Sequence, residues 1–453
     1  MQTDALNPLE KRTAISLSLV FALRMLGLFM IMPVFAIYGQ DLIGYSPMWV
    51  GLAIGAYGLT QAVLQIPAGM LSDKFGRRPI IYIGLVVFAI GSLVAAYSES
   101  VYGVTLGRAL QGGGAIASAV LALAADVTRE EQRSKAMGMI GVSIGLAFAV
   151  SMVAGPVLAP IIGLKGLFLI TACGALTGIA IVHFMVPHIV NKAPRGDTVA
   201  IPALLSKLAK DPQLLRLNLG IFTLHMTLTA VFIALPLQLQ SMQLAAQNHW
   251  HLYLPALLLS FILIIPMLIM AAKKEKNRQF YLFSIILMAV SLITMAFTTH
   301  SLAMMFLCML LYFTAFNFLE ASLPAFISML APAGAKGSAM GIYSTYQFLG
   351  AFFGGILGGV SYKLLGNSGL FLFLASLMLI WFFISWGMNN PSKIRTHTLT
   401  ATIKDEHRAT QLTEQLIKLE GVLEVVIIIE EQTVYIKVNN KKFTLETAKQ
   451  ILV

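Results

Sequence analysis

The sequence predicts an all-α integral membrane protein of twelve transmembrane helices in two six-helix halves, followed by a small α+β domain. Three observations carry that prediction. Of 453 residues, 58% are hydrophobic and only 11% charged, where soluble proteins carry roughly 25% charged residues, and the mean hydropathy is +0.81. Basic residues crowd into alternate gaps between apolar runs. After Pro391 the apolar pattern stops.

The apolar runs lie at 13–38, 47–71, 79–98, 101–125, 135–161 and 165–186, then at 214–240, 250–271, 279–299, 301–329, 337–362 and 368–388. Each is long enough for a helix to cross ~30 Å of hydrocarbon at ~1.5 Å per residue. Twenty Lys and Arg fall in one set of gaps, from Lys11 and Arg12 to Lys393 and Arg395. The intervening gaps, around Asp41, Glu99, Gly163, His249, His300 and Gly366, hold only Lys165 and Lys363. This asymmetry places both termini in the cytoplasm. It makes the formal charge of +11 a matter of topology, so the expected partner is the lipid bilayer and not nucleic acid. Cys173 and Cys308 both sit inside apolar runs, where packing is their expected role. No cluster of His, Cys and acids has metal-ligand spacing, and no nucleophile triad or phosphate loop stands out. Neither an enzyme activity nor a metal or cofactor is expected.

Prolines and charges interrupt the pattern at 187–213. They divide the chain into an N-terminal six-helix half (1–190), a cytoplasmic linker (191–213) and a C-terminal six-helix half (214–390). Ala136-Met137-Gly138 recurs as Ala339-Met340-Gly341, and Pro33 as Pro236, both 203 residues later. A duplicated six-helix unit follows, and carriers built from such repeats bind substrate near the midplane between them. Beyond Arg395 the chain carries 7 basic and 8 acidic residues. Residues 395–453 read as strand (399–403), helix (406–419), strand (423–430), strand (432–438) and helix (444–451), a βαββα unit of the ferredoxin-like kind. A regulator-binding or self-associating role suits it.

Between the second and third runs lies Gly69-Met70-Leu71-Ser72-Asp73-Lys74-Phe75-Gly76-Arg77-Arg78. Gly69 allows close helix contact, Gly76 a tight turn, and Asp73 can pair with Arg77. Simple cytoplasmic anchoring accounts for Lys74, Arg77 and Arg78 but not for the spaced Asp and glycines. The run resembles the signature loop of the major facilitator superfamily. The resemblance implies a conformational latch of Gly69, Asp73, Gly76, Arg77 and Arg78, which Asp126 is placed to join, closing the cytoplasmic side. In the second half the 203-residue offset sets Asp73 on Lys276, and the latch pattern is lost. Arg108-Ala109-Leu110-Gln111-Gly112 resembles the family's R-x-x-Q-G motif. A guanidinium that deep is costly unless it faces a polar cavity or snorkels, and the resemblance implies a part in proton coupling. Gly145 and Gly155-Pro156 resemble the Gly-Pro motif of the superfamily's antiporters, although plain helix packing also accounts for them. Leu26-Gly27 with Pro33-Val34 resembles a motif of twelve-helix drug exporters, with Ala36 in place of its last proline.

The remaining buried polar residues are few. Glu320, His225 and Asp126 are the proton-carrier candidates, because a carboxylate in a low-dielectric cavity and a histidine can both titrate in the working range. Arg24, Gln111 and Asn317 are candidates for the substrate cavity, Arg24 having an internal ion pair as its alternative. Tyr57, Gln61 and Gln65 recur every four residues as one polar stripe, lining the pathway or bonding a neighbouring helix. With the appended domain, the resemblance narrows to the YajR-type drug–proton antiporters. It implies the major facilitator fold in a bacterial inner membrane and proton-coupled export of small amphipathic compounds by alternating access. The rivals are a proton symporter, a narrow-specificity metabolite carrier, and a membrane sensor signalling through residues 395–453.

Overall fold

A computed structural model describes residues 6–187, 202–332, 335–389, 394–401, 403, 405–429, 432–439 and 442–452. The linker expected over 191–213 lies outside the described residues as far as 201.

Helix α1 (Pro8–Phe29) opens with a capping box, in which Asn7 Oδ1 accepts from the Glu10 amide and a Glu10 carboxylate oxygen accepts from the Asn7 amide. Its continuation, α2 (Met32–Tyr38), is offset at Met30–Ile31. Pro33 has no N–H to give the Phe29 carbonyl and would clash with it. The second and third spans are α3 (Pro47–Phe75) and α4 (Arg77–Tyr97), joined through Gly76 at φ +96°. The fourth is split into α5 (Val101–Gly113) and α6 (Ala117–Val127). Helix α7 (Glu130–Met185) holds the fifth and sixth spans. After α8 (Pro202–Ala209) come α9 (Pro212–Ser241), α10 (Trp250–Lys273), α11 (Asn277–Phe297) and α12 (Leu302–Leu330), then α13 (Lys336–Trp386), which holds the last two spans.

Ten stretches are long and apolar enough to cross a membrane, and two of them cross twice. Helix α7 turns back at Gly163 (φ 65°, ψ −177°) and α13 at Gly366 (φ 69°, ψ −170°). These dihedrals are essentially reserved for glycine. The two residues lie 203 apart, so the duplication read from short repeats extends to backbone conformation. Pro156 and Pro160 sit inside α7 without breaking its dihedrals. Twelve crossings bring both ends of the bundle to one side, the termini side.

Glycines set how the helices pack. Gly350, Gly354 and Gly358 of α13 lie against the backbone or Cβ of Phe222, Met226 and Ala230 on α9. A second stripe on α13, Gly355 and Gly359, meets Gly51 and Pro47 of α3, while Gly55 and Gly58 of α3 rest on the carbonyls of Phe352 and Phe348. The two halves therefore touch backbone to backbone along 47–58 and 348–359, on the side away from the termini. On the termini side of the fifth span, Gly138 and Gly141 have no heavy atom within 4 Å of the place a Cβ would take.

The C-terminal unit is β1 (Ile394–Thr400), α14 (Glu406–Ile417), β2 (Val422–Ile428), β3 (Thr433–Asn439) and α15 (Leu445–Leu452), with antiparallel sheet order β1-β3-β2. The first strand begins at 394 and not at 399. It pairs with the whole of β3, from Ile394 opposite Asn439 to Thr400 opposite Thr433, and its polar N-terminal half hides it from a hydrophobic pattern. Leu412, Leu416, Val434, Ile436, Val438 and Ala448 form the core. The unit docks on the membrane bundle through Lys437, whose Nζ donates to the Leu330 and Ala331 carbonyls at 3.2 and 2.9 Å. Those are end carbonyls of α12, where a cation is favoured by the helix dipole.

Candidate functional site

Three groups of polar side chains stand out, one on the termini side and two at mid-depth. On the termini side, buried Arg77 donates from Nη1 to Asp73 at 2.6 Å and Ser72 at 2.9 Å, and from Nε to Asp126 at 3.0 Å. One planar fork thus ties the second, third and fourth spans. Gly69 allows the fourth span to approach, since a Cβ there would lie 3.2 Å from Ser118 Cβ. Arg78 reaches the carbonyls of Val182 and His183 at 2.6 and 3.1 Å, and Arg12 that of Phe184 at 2.8 Å. Both cap the end of the sixth span. The second half repeats this: Arg216 donates to the Gly387 carbonyl at 2.8 Å, and Arg278 donates to that of Trp386. The helix starts Arg77 and Asn277 make the local offset 200 residues, so the counterpart of Asp73 is Lys273 and not Lys276. Loop length had drifted between the halves, and a single offset could not follow it.

A further anchor had been missed. Glu10, 1% exposed, accepts from the backbone N and Nε of Arg129 at 2.9 and 2.8 Å. Asn7-Pro8-x-Glu10 carries a helix-start signal, but nothing in the sequence points to a partner 119 residues away.

At mid-depth in the first half, Arg24 Nη2 donates to Gln61 Oε1 at 2.5 Å, and Gln61 Nε2 to Gln65 at 3.5 Å. Arg108 Nη1 donates to Gln111 Oε1 at 2.7 Å, and Gln111 Nε2 to Ser92 at 2.8 Å. Both guanidiniums lie over the Tyr57 ring, at 5.6 and 5.4 Å. The Tyr57–Gln61–Gln65 stripe is therefore buried against the first and fourth spans. Arg24 holds an amide instead of the ion pair that was its alternative, and Arg108 lies sealed among these groups, 1% exposed.

At mid-depth in the second half, His225 Nε2 lies 3.0 Å from Glu320 Oε2. Gln347 Nε2 donates to Glu320 Oε1 at 3.2 Å and lies 2.8 Å from His225 Nε2. The cluster joins the seventh, tenth and eleventh spans, and Glu320 is 37% exposed. Gln347 was missed because a single amide in a glycine-rich run carries no periodic signal. Asn317 turns away to Ser260, at 2.8 Å. In the fifth span, Gly155 packs on the Met30 carbonyl of the first span with Pro156 beside it, and Gly145 faces Phe261 of α10 at ordinary contact. Among the described residues no group of three His, Cys, Asp or Glu could hold a metal.

Two pseudo-repeated bundles, meeting around buried polar groups, define a two-half membrane carrier. The family model described as Major Facilitator Superfamily matches residues 17–273 and 245–428, and the chain belongs to that family. It is a multi-pass membrane transporter and not an enzyme. It is 43% identical over 452 residues to the inner membrane transport protein YajR of Escherichia coli K12, covering 99% of each chain. At greater distance it is 27% identical over 351 residues to the multidrug resistance protein MdtH of Aeromonas salmonicida, covering 76% of this chain and 84% of that one. Among solved structures, the human organic anion transporter MFSD10 superposes with a TM-score of 0.63 at 20% identity, covering 84% of this chain and all of the other. That likeness speaks to the fold alone.

Proposed function

We propose that this transporter exports small amphipathic compounds in exchange for protons, by alternating access, from a bacterial inner membrane with both termini in the cytoplasm. The observation that carries the coupling is the Glu320–His225–Gln347 cluster. Its carboxylate and imidazole lie 3.0 Å apart, near enough to share one proton, and its partial exposure gives that proton a way in and out. A proton on Glu320 removes the charge that holds His225 and Gln347, and three spans of the second half are then free to shift. Asp126 is committed to Arg77, which favours a latch role for it over proton carriage. Arg77 with Asp73 and Asp126 is the latch, Gly76 and Arg78 completing its turn and its anchor, and Gly69 admitting the fourth span. The multidrug name of the Aeromonas relative supports export.

The test is uptake of dyes and drugs into everted membrane vesicles under an imposed pH gradient. Glu320→Gln is expected to abolish the response to the gradient, and Asp73→Asn to slow transport at matched expression. Gradient-driven transport that persists in Glu320→Gln would remove the carrier role. Unaltered rates in Asp73→Asn would remove the latch.

A further inference from the structure

The mid-depth cluster of the first half is chemically unbalanced. Two guanidiniums, each 1% exposed, point at one tyrosine ring. Their hydrogen-bond acceptors are glutamine oxygens, which orient a cation but do not neutralise it. No carboxylate pairs with either among the described residues. Of the first half's described acids, Glu10 is bonded to Arg129, and Asp73 and Asp126 to Arg77, at the termini side, while Asp41 and Glu99 lie in the connections on the opposite side. Several donors stay unused: Arg24 Nε and Nη1, Arg108 Nε and the Tyr57 hydroxyl are buried without a hydrogen-bond partner. Buried cations of like sign with open donors are costly unless a counter-charge joins them.

We propose that Arg24, Arg108 and Tyr57 form a binding site for a compact anionic group, such as the carboxylate of a transported amphiphile or a free halide. A guanidinium and a phenol donate to such a group through charge-assisted bonds. The cluster also has a cover that belongs to the other half. The Phe348 ring lies 6.3 Å from that of Tyr57, and together with Leu28 it packs over the Tyr57–Phe88 patch. Movement of α13 away from α3 lifts Phe348 and opens the site, whereas the state described here keeps it sealed. Where the anion is the substrate's own carboxylate, the inference rests on the transport reading and narrows the substrate to anionic amphiphiles.

The experiment uses the full chain in lipid nanodiscs, with sodium benzoate as probe and benzamide as its neutral isostere, read as the shift in thermal unfolding midpoint. Benzoate is expected to raise the midpoint and benzamide to leave it unchanged. Arg24→Gln and Arg108→Gln are each expected to raise the half-saturating benzoate concentration at least tenfold, and Lys363→Gln, which removes an exposed cation, to leave it as in wild type. Without anion, Arg24→Gln should not lower the midpoint, because it removes an uncompensated charge. A chloride titration separates the sources: competition with benzoate assigns the site to a free halide, and its absence to a carboxylate. Equal stabilisation by benzoate and benzamide in wild type, which needs no variant to fold, overturns the proposal. So does a benzoate response that survives both arginine substitutions. Retained benzoate binding with no drug transport would sink the export reading while leaving the site standing, and the reverse pattern would sink only the site.

Discussion

Replacing Gly58 with alanine probes the backbone contact through which the two halves meet. The added Cβ would lie 2.5 Å from the Phe348 carbonyl oxygen, 3.2 Å from the Phe352 nitrogen and 3.4 Å from Ala351 Cβ. The first two are backbone atoms inside a helix, so neither can swing aside, and α3 and α13 must part by roughly 1 Å to restore ordinary contact. Overpacking of this kind costs about 1–3 kcal/mol, a shift of roughly 5- to 140-fold at about 1.4 kcal/mol per decade. The state that suffers is the one closed away from the termini. Labelling of Ile54→Cys by a membrane-impermeant maleimide reads it, since Ile54 is buried beside the stripe, in a chain with Cys173 and Cys308 replaced by alanine. The expected result is a faster labelling rate within that range. Gly138→Ala is the control: it gains the same intrinsic helix preference, about 1 kcal/mol, and meets nothing. Unchanged labelling in Gly58→Ala, or an equal rise in Gly138→Ala, would refute the reasoning.

Gly163→Ala and Gly366→Ala should each destabilise by about 1–3 kcal/mol in thermal unfolding. The cost is purely conformational, because neither site has a neighbour within 4 Å; a large loss at only one of them would contradict their equivalence. Arg77→Lys keeps the charge but not the fork to Asp73, Asp126 and Ser72, so a loss of about 2 kcal/mol is expected, and an unchanged unfolding midpoint would count against the three-span tie. Burial holds the Lys437 ammonium below the usual lysine value, with Glu424 partly offsetting it. The undocked lysine therefore binds more protons than the docked one in the window between the two values. Docking of the C-terminal unit should strengthen as pH rises through that window. Spin-label distances between Glu446 and Lys273 positions should sharpen from neutral to alkaline pH, and the opposite trend would refute the sign.

Spans and duplication were legible because hydrocarbon demands about 20 apolar residues per crossing and the Ala-Met-Gly and Pro matches share one offset. Arg24, Arg108, Glu320 and His225 were legible for the opposite reason, since a lone polar group in an apolar run is conspicuous. What paired with what was not. The Glu10–Arg129 contact closes over 119 residues, and the joining of His225 with Glu320 and Gln347 depends on how three helices rotate about their axes. Span hydropathy marks depth but not rotation. The sequence therefore indicated which residues sit deep, and left open that Arg24 meets an amide where an acid was the alternative.

The one-residue turns at Gly163 and Gly366 also preserve a history. Arg77 and Asn277 start helices 200 residues apart, Val101 and Leu302 start theirs 201 apart, and the two turning glycines stand 203 apart. Insertions and deletions since the ancestral doubling have thus accumulated from the second span to the fourth, in the spans and their connections alike, and in their counterparts. A hairpin made of a single glycine has no slack to lengthen or shorten without turning one helix against its mate. In this chain the tightest corners behave as fixed marks against which the drift of the looser ones can be measured.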